Sequence, residues 1–252
     1  MRSRLRHKAK EITVCGWQAV SALFERHPDE IRRLYFDAST GKRAGKLCSY
    51  LAHRRKVYRQ LPADELERVA GTLHHGGIAA VIAERPLHEV TLETIDGWAS
   101  ARMPLLLLDC VGNANNLGAI VRTAAFFGVT SIVVPDHPSQ ALPGDAAWRV
   151  AEGGMEFVEF YQVPVLADFC AAASRAYFLV GSSLAGGPLR AAVEAAQSRP
   201  VTLILGSEEH GIEPAVASAC NRLVKIPGVD TVQSLNVSAA AAVLCWEFFG
   251  RD

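Results

Sequence analysis

Five short apolar runs, each stopped by a polar or glycine-containing turn, constrain this chain more than any other feature. They are LLLLD (105–109), SIVVP (131–135), AYFLVGSSL (176–184), PVTLILG (200–206) and LVKIP (223–227). A strand with one wet face alternates apolar and polar residues. These runs are nearly continuous, so both faces must be covered, as in a parallel sheet flanked by helices. Helical stretches lie between and after them, among them LGAIVRTAAFFG (117–128), closed by glycine, and the Ala-rich run from Val237 to Phe249. The pattern predicts an α/β domain with a parallel sheet over 104–252. Residues 141–163 are less regular, and no element is assigned there.

A second, smaller α/β unit is expected over residues 1–85. GWQAVSALFERH (16–27) has amphipathic helical spacing, LYFDA (34–38) suits a strand, and a basic helix follows near 42–54 with a short strand at Val57. PADELERVAG (62–71) has proline and acids at its start and glycine at its end, the punctuation of a helix. HHGGIAAVIAE (74–84) is a glycine turn and a strand. Residues 86–103, with a short helix near 93–101, are expected to link the two parts.

Charge separates the same two parts. Residues 1–100 hold 17 Lys+Arg against 12 Asp+Glu, and residues 101–252 hold 9 against 14, so a net charge of zero conceals +5 and −5. From Lys42 to Arg59 there are seven basic residues and no acidic one, with Tyr50 and Tyr58 interleaved. A phosphate-rich partner fits this balance; the alternative is a solvated helix face. No apolar run reaches the roughly 18 residues of a membrane span, and no apolar stretch follows the basic Met1–Arg6. The six cysteines (15, 48, 110, 170, 220, 245) are scattered without a C-x-x-C pair. Neither a metal site nor a disulfide framework is indicated, and a reducing, cytoplasmic setting is expected.

Ligands of such sheets bind beyond the carboxyl ends of the strands, which directs attention to the loops after 105–109, 200–206 and 223–227. No G-x-G-x-x-G follows a strand, Gly112-Asn113-Ala114 lacks the second glycine, and no Walker A loop is present. A nucleotide-like cofactor would therefore be held without a pyrophosphate cradle, which disfavours a nicotinamide or flavin enzyme. The loops carry three motifs instead: N-x-G-x-x-x-R-T-A as Asn116-Leu117-Gly118 through Arg122-Thr123-Ala124, L-G-x-E-x-x-G as Leu205 to Gly211, and I-P…S-L-N-V-S as Ile226-Pro227 and Ser234 to Ser238.

In this order the motifs resemble those of the SpoU (TrmH) family of RNA ribose 2′-O-methyltransferases, part of the SPOUT superfamily, over residues 104–250. AEGGME (151–156) looks like a segment of one subgroup. G-x-x-A-V-x-x-L (Gly16 to Leu23) and H-x-G-I-A-A (His75 to Ala80) resemble the L30e-like RNA substrate-binding domain often fused to that family. The resemblance implies a trefoil knot in the C-terminal domain, a homodimer formed through it with sites that borrow from both chains, and S-adenosylmethionine as cofactor. The expected activity is methyl transfer to a ribose 2′-OH of structured rRNA or tRNA.

The resemblance also implies roles. Arg122 would stabilise alkoxide character at the 2′-oxygen. Asn116 would hold the substrate or the Arg122 region; otherwise it caps the helix over 117–128. Glu208 would orient Arg122 or contact substrate, or oppose a helix dipole. Ser234 and Asn236 would face the reacting centre, or serve as caps. Gly206, Ile226 and Leu235 would contact the cofactor through backbone groups. His74 and His75 fit a loop role, and Trp17, Trp98, Trp148 and Trp246 fit a core. Asp230 and Gln233 depart from many relatives, which motivates the alternative of an inactive RNA-binding protein acting as chaperone or assembly factor.

Overall fold

The computed structural model describes residues 10–196, 198–229 and 231–250, so the basic start of the chain and Asp230 lie outside the described residues. The chain divides into two compact units. One comprises residues up to Pro86 together with Gly144–Glu156, and the other comprises Leu87–Pro143 and the chain from Phe157 onward.

The first unit is built on a four-stranded sheet of β1 (Glu11–Cys15), β2 (Arg33–Phe36), β3 (Val57–Gln60) and β4 (Ile78–Ala83), in the order β1-β4-β2-β3. β4 runs antiparallel to β1 and β2, and β3 is parallel to β2. The helices are α1 (Trp17–Arg26), α2 (Gly45–His53) and α3 (Ala63–Ala70). α3 ends on Gly71, whose φ of 66° lets its N–H close on the Glu67 carbonyl. Strand β1 was not anticipated, because EITVC is too short to show a period. Its pairing with β4 places Ile12 and Val14 in the core.

Gly144–Glu156, although it follows β-strands of the other unit in sequence, folds with this first unit. A helix over Asp145–Ala151 lies beside β1, and the Asp145 carboxylate accepts the Thr13 N–H at 3.0 Å. Gly153 has φ 96°, and a Cβ there would stand 3.0 Å from the Ala22 methyl and 3.2 Å from the Gln18 carbonyl. The Glu156 side chain is fully buried and receives two hydrogen bonds from Arg85, at 2.9 and 3.1 Å. Arg85 also donates to Glu30 at 2.9 Å and lies over the Trp148 ring. Burial pushes the Glu156 carboxyl up and the guanidinium beside it pulls it back. The irregularity of 141–163 in sequence therefore reflects a segment whose order comes from distant partners.

The second unit is a seven-stranded sheet, every paired strand parallel. Its strands are β5 (His88–Glu89), β6 (Leu105–Asp109), β7 (Ser131–Pro135), β8 (Glu159–Val163), β9 (Phe178–Pro188), β10 (Val201–Gly206) and β11 (Arg222–Lys225), in the order β11-β9-β10-β6-β7-β8-β5. β6 and β7 are buried at every position, the outcome their unbroken apolar runs require. Helices α4 (Leu92–Ser100), α5 (Ala114–Phe126), α6 (Leu166–Ala173), α7 (Leu189–Ala195), α8 (Pro214–Ala219) and α9 (Val237–Phe249) accompany them. α5 and α9 pack on each other, and α9 also packs on β10.

β9 runs to Pro188, further than the apolar run suggests. Its glycine-rich end continues because β11 passes close by: a Cβ on Gly186 would come within 2.3 Å of the Val224 backbone. The six cysteines carry free thiols, and burial pushes those of Cys170 and Cys245 up to about 12, so they behave as small apolar side chains. Among the described residues no helix is long and apolar enough to cross a membrane.

Candidate functional site

Because β6, β9, β10 and β11 are parallel, their carboxyl ends lie along one edge of the second unit. The loops that follow three of them are those singled out in sequence. After β6, Asn113 caps α5: its side-chain oxygen accepts the Asn115 and Asn116 N–H groups at 2.8 and 3.2 Å. The helix thus starts at Ala114, three residues before the expected Leu117, and Asn116 is not its cap. Asn113, four residues ahead of the apolar run at Leu117, was the signal for this.

Asn116 is freed for another contact. Its Nδ2 donates to Glu208 Oε1 at 2.6 Å. Asn236 Nδ2 donates to the same oxygen at 2.9 Å and to Asn116 Oδ1 at 3.1 Å. The other end of the Asn236 amide caps α9, accepting the Ser238 N–H at 2.9 Å and the Ser238 hydroxyl at 2.6 Å. Both readings of Asn236 hold together because an amide has a donor end and an acceptor end. Ser238 fixes which is which, and was not assigned from sequence. Glu208 is thereby the hub of a three-residue cluster drawn from the first turn of α5, the loop after β10 and the start of α9.

The loop that carries Glu208 is held rigid. Ser207 and Gly211 exchange backbone hydrogen bonds at 3.0 and 2.9 Å, and Gly211 has φ 70°. A Cβ on Gly206 would lie 2.0 Å from the Gly211 carbonyl carbon, so only glycine lets the loop fold back on the strand end. Asp109, buried at the end of β6, accepts the Glu213 N–H at 2.7 Å and ties the loop to the neighbouring strand. Asp109 is a second residue that sequence reasoning did not single out.

Beside the cluster is a cleft of about 650 Å³. Gly206, Glu208, Ile226, Ser234 and Leu235 line it, joined by Leu184 from the extended end of β9. The expected cofactor-contacting positions thus surround one cavity, with a volume in the range of small-molecule sites. Gln233 also lines it. Arg122 stands on α5 six residues beyond Asn116, about 9 Å along the helix axis. It shares an outward stripe with Asn115 and Phe126, and all three are exposed. Of the four tryptophans, Trp98 and Trp148 are buried, Trp17 is half-buried and Trp246 is 57 % exposed, so a core role fits only two.

The SpoU rRNA methylase family model matches residues 103–246 of this chain. This chain belongs to the SpoU family. A second model, RNA 2′-O ribose methyltransferase substrate binding, matches residues 13–87, so both units have counterparts in known proteins. The SpoU chain is 34 % identical over 252 residues to an uncharacterized tRNA/rRNA methyltransferase, YfiF, of Escherichia coli O157:H7, covering 98 % of this chain and 70 % of that protein. It is 32 % identical to the 23S rRNA (guanosine-2′-O-)-methyltransferase RlmB of Acinetobacter baylyi, covering 92 % and 94 %. In fold it is similar to the SpoU methyltransferase AviRb of Streptomyces viridochromogenes in complex with AdoMet, with TM-score 0.73, 21 % identity, and coverage of 99 % and 93 %. An rRNA methyltransferase from Sinorhizobium meliloti gives TM-score 0.77 at 19 % identity, covering 98 % and 90 %. The alternative of an inactive binding protein gains no support from these likenesses.

Proposed function

We propose that this SpoU chain transfers the methyl group of S-adenosylmethionine to a ribose 2′-oxygen in structured ribosomal or transfer RNA. The observation that carries this reading is the Asn116–Glu208–Asn236 cluster at the rim of the 650 Å³ cleft. The residues fit the cofactor. Backbone at Gly206, Ile226 and Leu235 offers polar groups, Leu184 and Leu205 offer apolar wall, and the Glu208 carboxylate at the rim suits a neighbouring sulfonium. When bound, the cofactor supplies an electrophilic methyl group.

The chain's own residues do the rest. Glu208 fixes the two amides, which present oriented polar groups where a sugar would enter. Ser234 lies at the same rim. Arg122 would stabilise negative charge on the 2′-oxygen and orient a phosphate, while the hydroxyl proton would leave to solvent and S-adenosylhomocysteine would be released. Holding the oxygen in line with the methyl group accounts for much of the expected rate. The test is tritium transfer from labelled cofactor into RNA, with the modified nucleotide mapped by 2′-O-methyl sequencing. Cofactor binding without any transfer to rRNA or tRNA would refute the reading.

The same reading includes a homodimer through the second unit. Phe126 is 82 % exposed, Trp246 57 % and Val243 38 %, on helices α5 and α9 that already pack together. Large exposed apolar side chains grouped in this way suit an interface. Arg122 shares the Phe126 stripe, which is where a residue lent to a second copy would stand. The knot belongs to this reading too; the close passage of β11 by Gly186 and the return of α9 onto β10 support it. A cytoplasmic location follows from an RNA substrate.

A further inference from the structure

The basic run from Lys42 to Arg59 is not one patch. Helix α2 occupies its middle and separates its ends by about 12 Å. At the far end, Arg54 lies 3.7 Å from the Asp29 carboxylate, Tyr50 donates to the same oxygen at 2.8 Å, and Lys56 donates to the Asp29 carbonyl at 2.6 Å. Those three side chains are tied to Asp29, while Arg55 and Arg59 at the same end are exposed. The near end is different. Lys42, Arg43 and Lys46 are exposed, and the Arg43 guanidinium lies 4.1 Å over the half-buried Trp17 ring. No carboxylate among the described residues pairs with Arg43. Asp37, the acid of this loop, accepts the Ser39 hydroxyl and the Thr40 N–H on its Oδ1, within its own turn.

This near end is also the end of the four-stranded sheet where β1, β2 and β3 finish and β4 begins. Gly16 and Gly76 meet there; a Cβ on Gly76 would stand 3.3 Å from the Gly16 Cα, so the surface beside Trp17 stays low. α1 starts at Trp17 with no acidic residue in its first turn. A guanidinium held over an indole face is steadied there while its N–H donors stay available, and an arginine with free donors can grip a phosphate bidentately.

We infer that Arg43, held over the Trp17 ring and flanked by Lys42 and Lys46, is the phosphate grip by which the first unit holds RNA, and that the Arg54–Lys56 end is not. The inference rests on the RNA reading above and names the residues within it. Trp17 is a positioning residue acting through Arg43. The test is fluorescence anisotropy of the full chain with a labelled RNA hairpin at several salt concentrations, with calorimetric titration of S-adenosylmethionine alongside. Arg43→Gln raises the RNA Kd by about fivefold to tenfold and lowers the salt slope by about 0.7–0.9, the loss of one phosphate contact. Trp17→Ala matches it, Trp17→Phe keeps most of the affinity, and the Trp17→Ala/Arg43→Gln double variant is no worse than Arg43→Gln alone. Arg55→Gln stays within about twofold of wild type, as loss of a charge outside the grip should. Cofactor affinity is unchanged throughout. Wild-type affinity in Arg43→Gln, or an equal loss in Arg55→Gln, overturns the grip while leaving the RNA reading intact. A wild-type chain that binds cofactor but no RNA overturns both.

Discussion

Glu208 shows how much one side chain decides here. One of its carboxylate oxygens receives both Asn116 and Asn236. Glu208→Gln keeps the shape but replaces half the acceptors with donors, so at least one amide must turn away. We expect methyl transfer to fall by about 100-fold, the scale of a misplacement near an ångström, with cofactor affinity retained in calorimetry. Asn236→Ala removes a cap and a site contact together and should cost about 1 kcal/mol of stability as well as activity. Asn113→Ala supplies the comparison. It should cost a similar stability in urea denaturation, because it too removes a cap, yet keep far more turnover. Equal activity losses in the two variants would mean that Asn236 acts only as a cap.

At the scale of elements, two local arrangements lend themselves to test. The segment Gly144–Glu156 is held to the first unit through the buried pair Arg85–Glu156. Arg85→Met leaves a fully buried carboxylate without its main partner, and we expect a loss of about 3–5 kcal/mol in urea denaturation. The return loop after β10 depends on Gly206. Gly206→Ala drives a methyl group into the Gly211 backbone; the strain of such overpacking is about 1–3 kcal/mol, and the loop must shift to relieve it. Cofactor binding should be lost before the fold is, seen as no calorimetric signal from a chain that still melts cooperatively. Neither arrangement shows in local periodicity. A buried ion pair joining residues 71 positions apart leaves no pattern in either segment.

For the whole molecule, the exposed Phe126 and Trp246 and the outward placement of Arg122 support catalysis across a dimer. Trp246→Glu should yield a monomer in sedimentation velocity. Arg122→Ala alone should bind cofactor normally and lose about 100- to 1,000-fold in transfer, the scale of removing one charge-stabilising donor. If each site takes Arg122 from one copy and Glu208 from the other, mixing Arg122→Ala with Glu208→Gln restores part of the activity, because one site of the mixed dimer is intact. No recovery on mixing, with subunit exchange demonstrated, would place both residues in one chain's site.

The apolar runs by themselves determined the parallel sheet, because a strand covered on both faces can tolerate few polar residues wherever it occurs. The motifs likewise marked the loops, since strand ends, tight glycine turns and caps are local demands on residue type. What only the tertiary structure decided was pairing at a distance: that Glu208 serves two amides, that Gly144–Glu156 folds with the first unit, and that a continuous basic run has two unlike ends. Those outcomes depend on which groups meet after the chain has folded. Hydrogen bonds and ion pairs between segments far apart in sequence impose no spacing on either one.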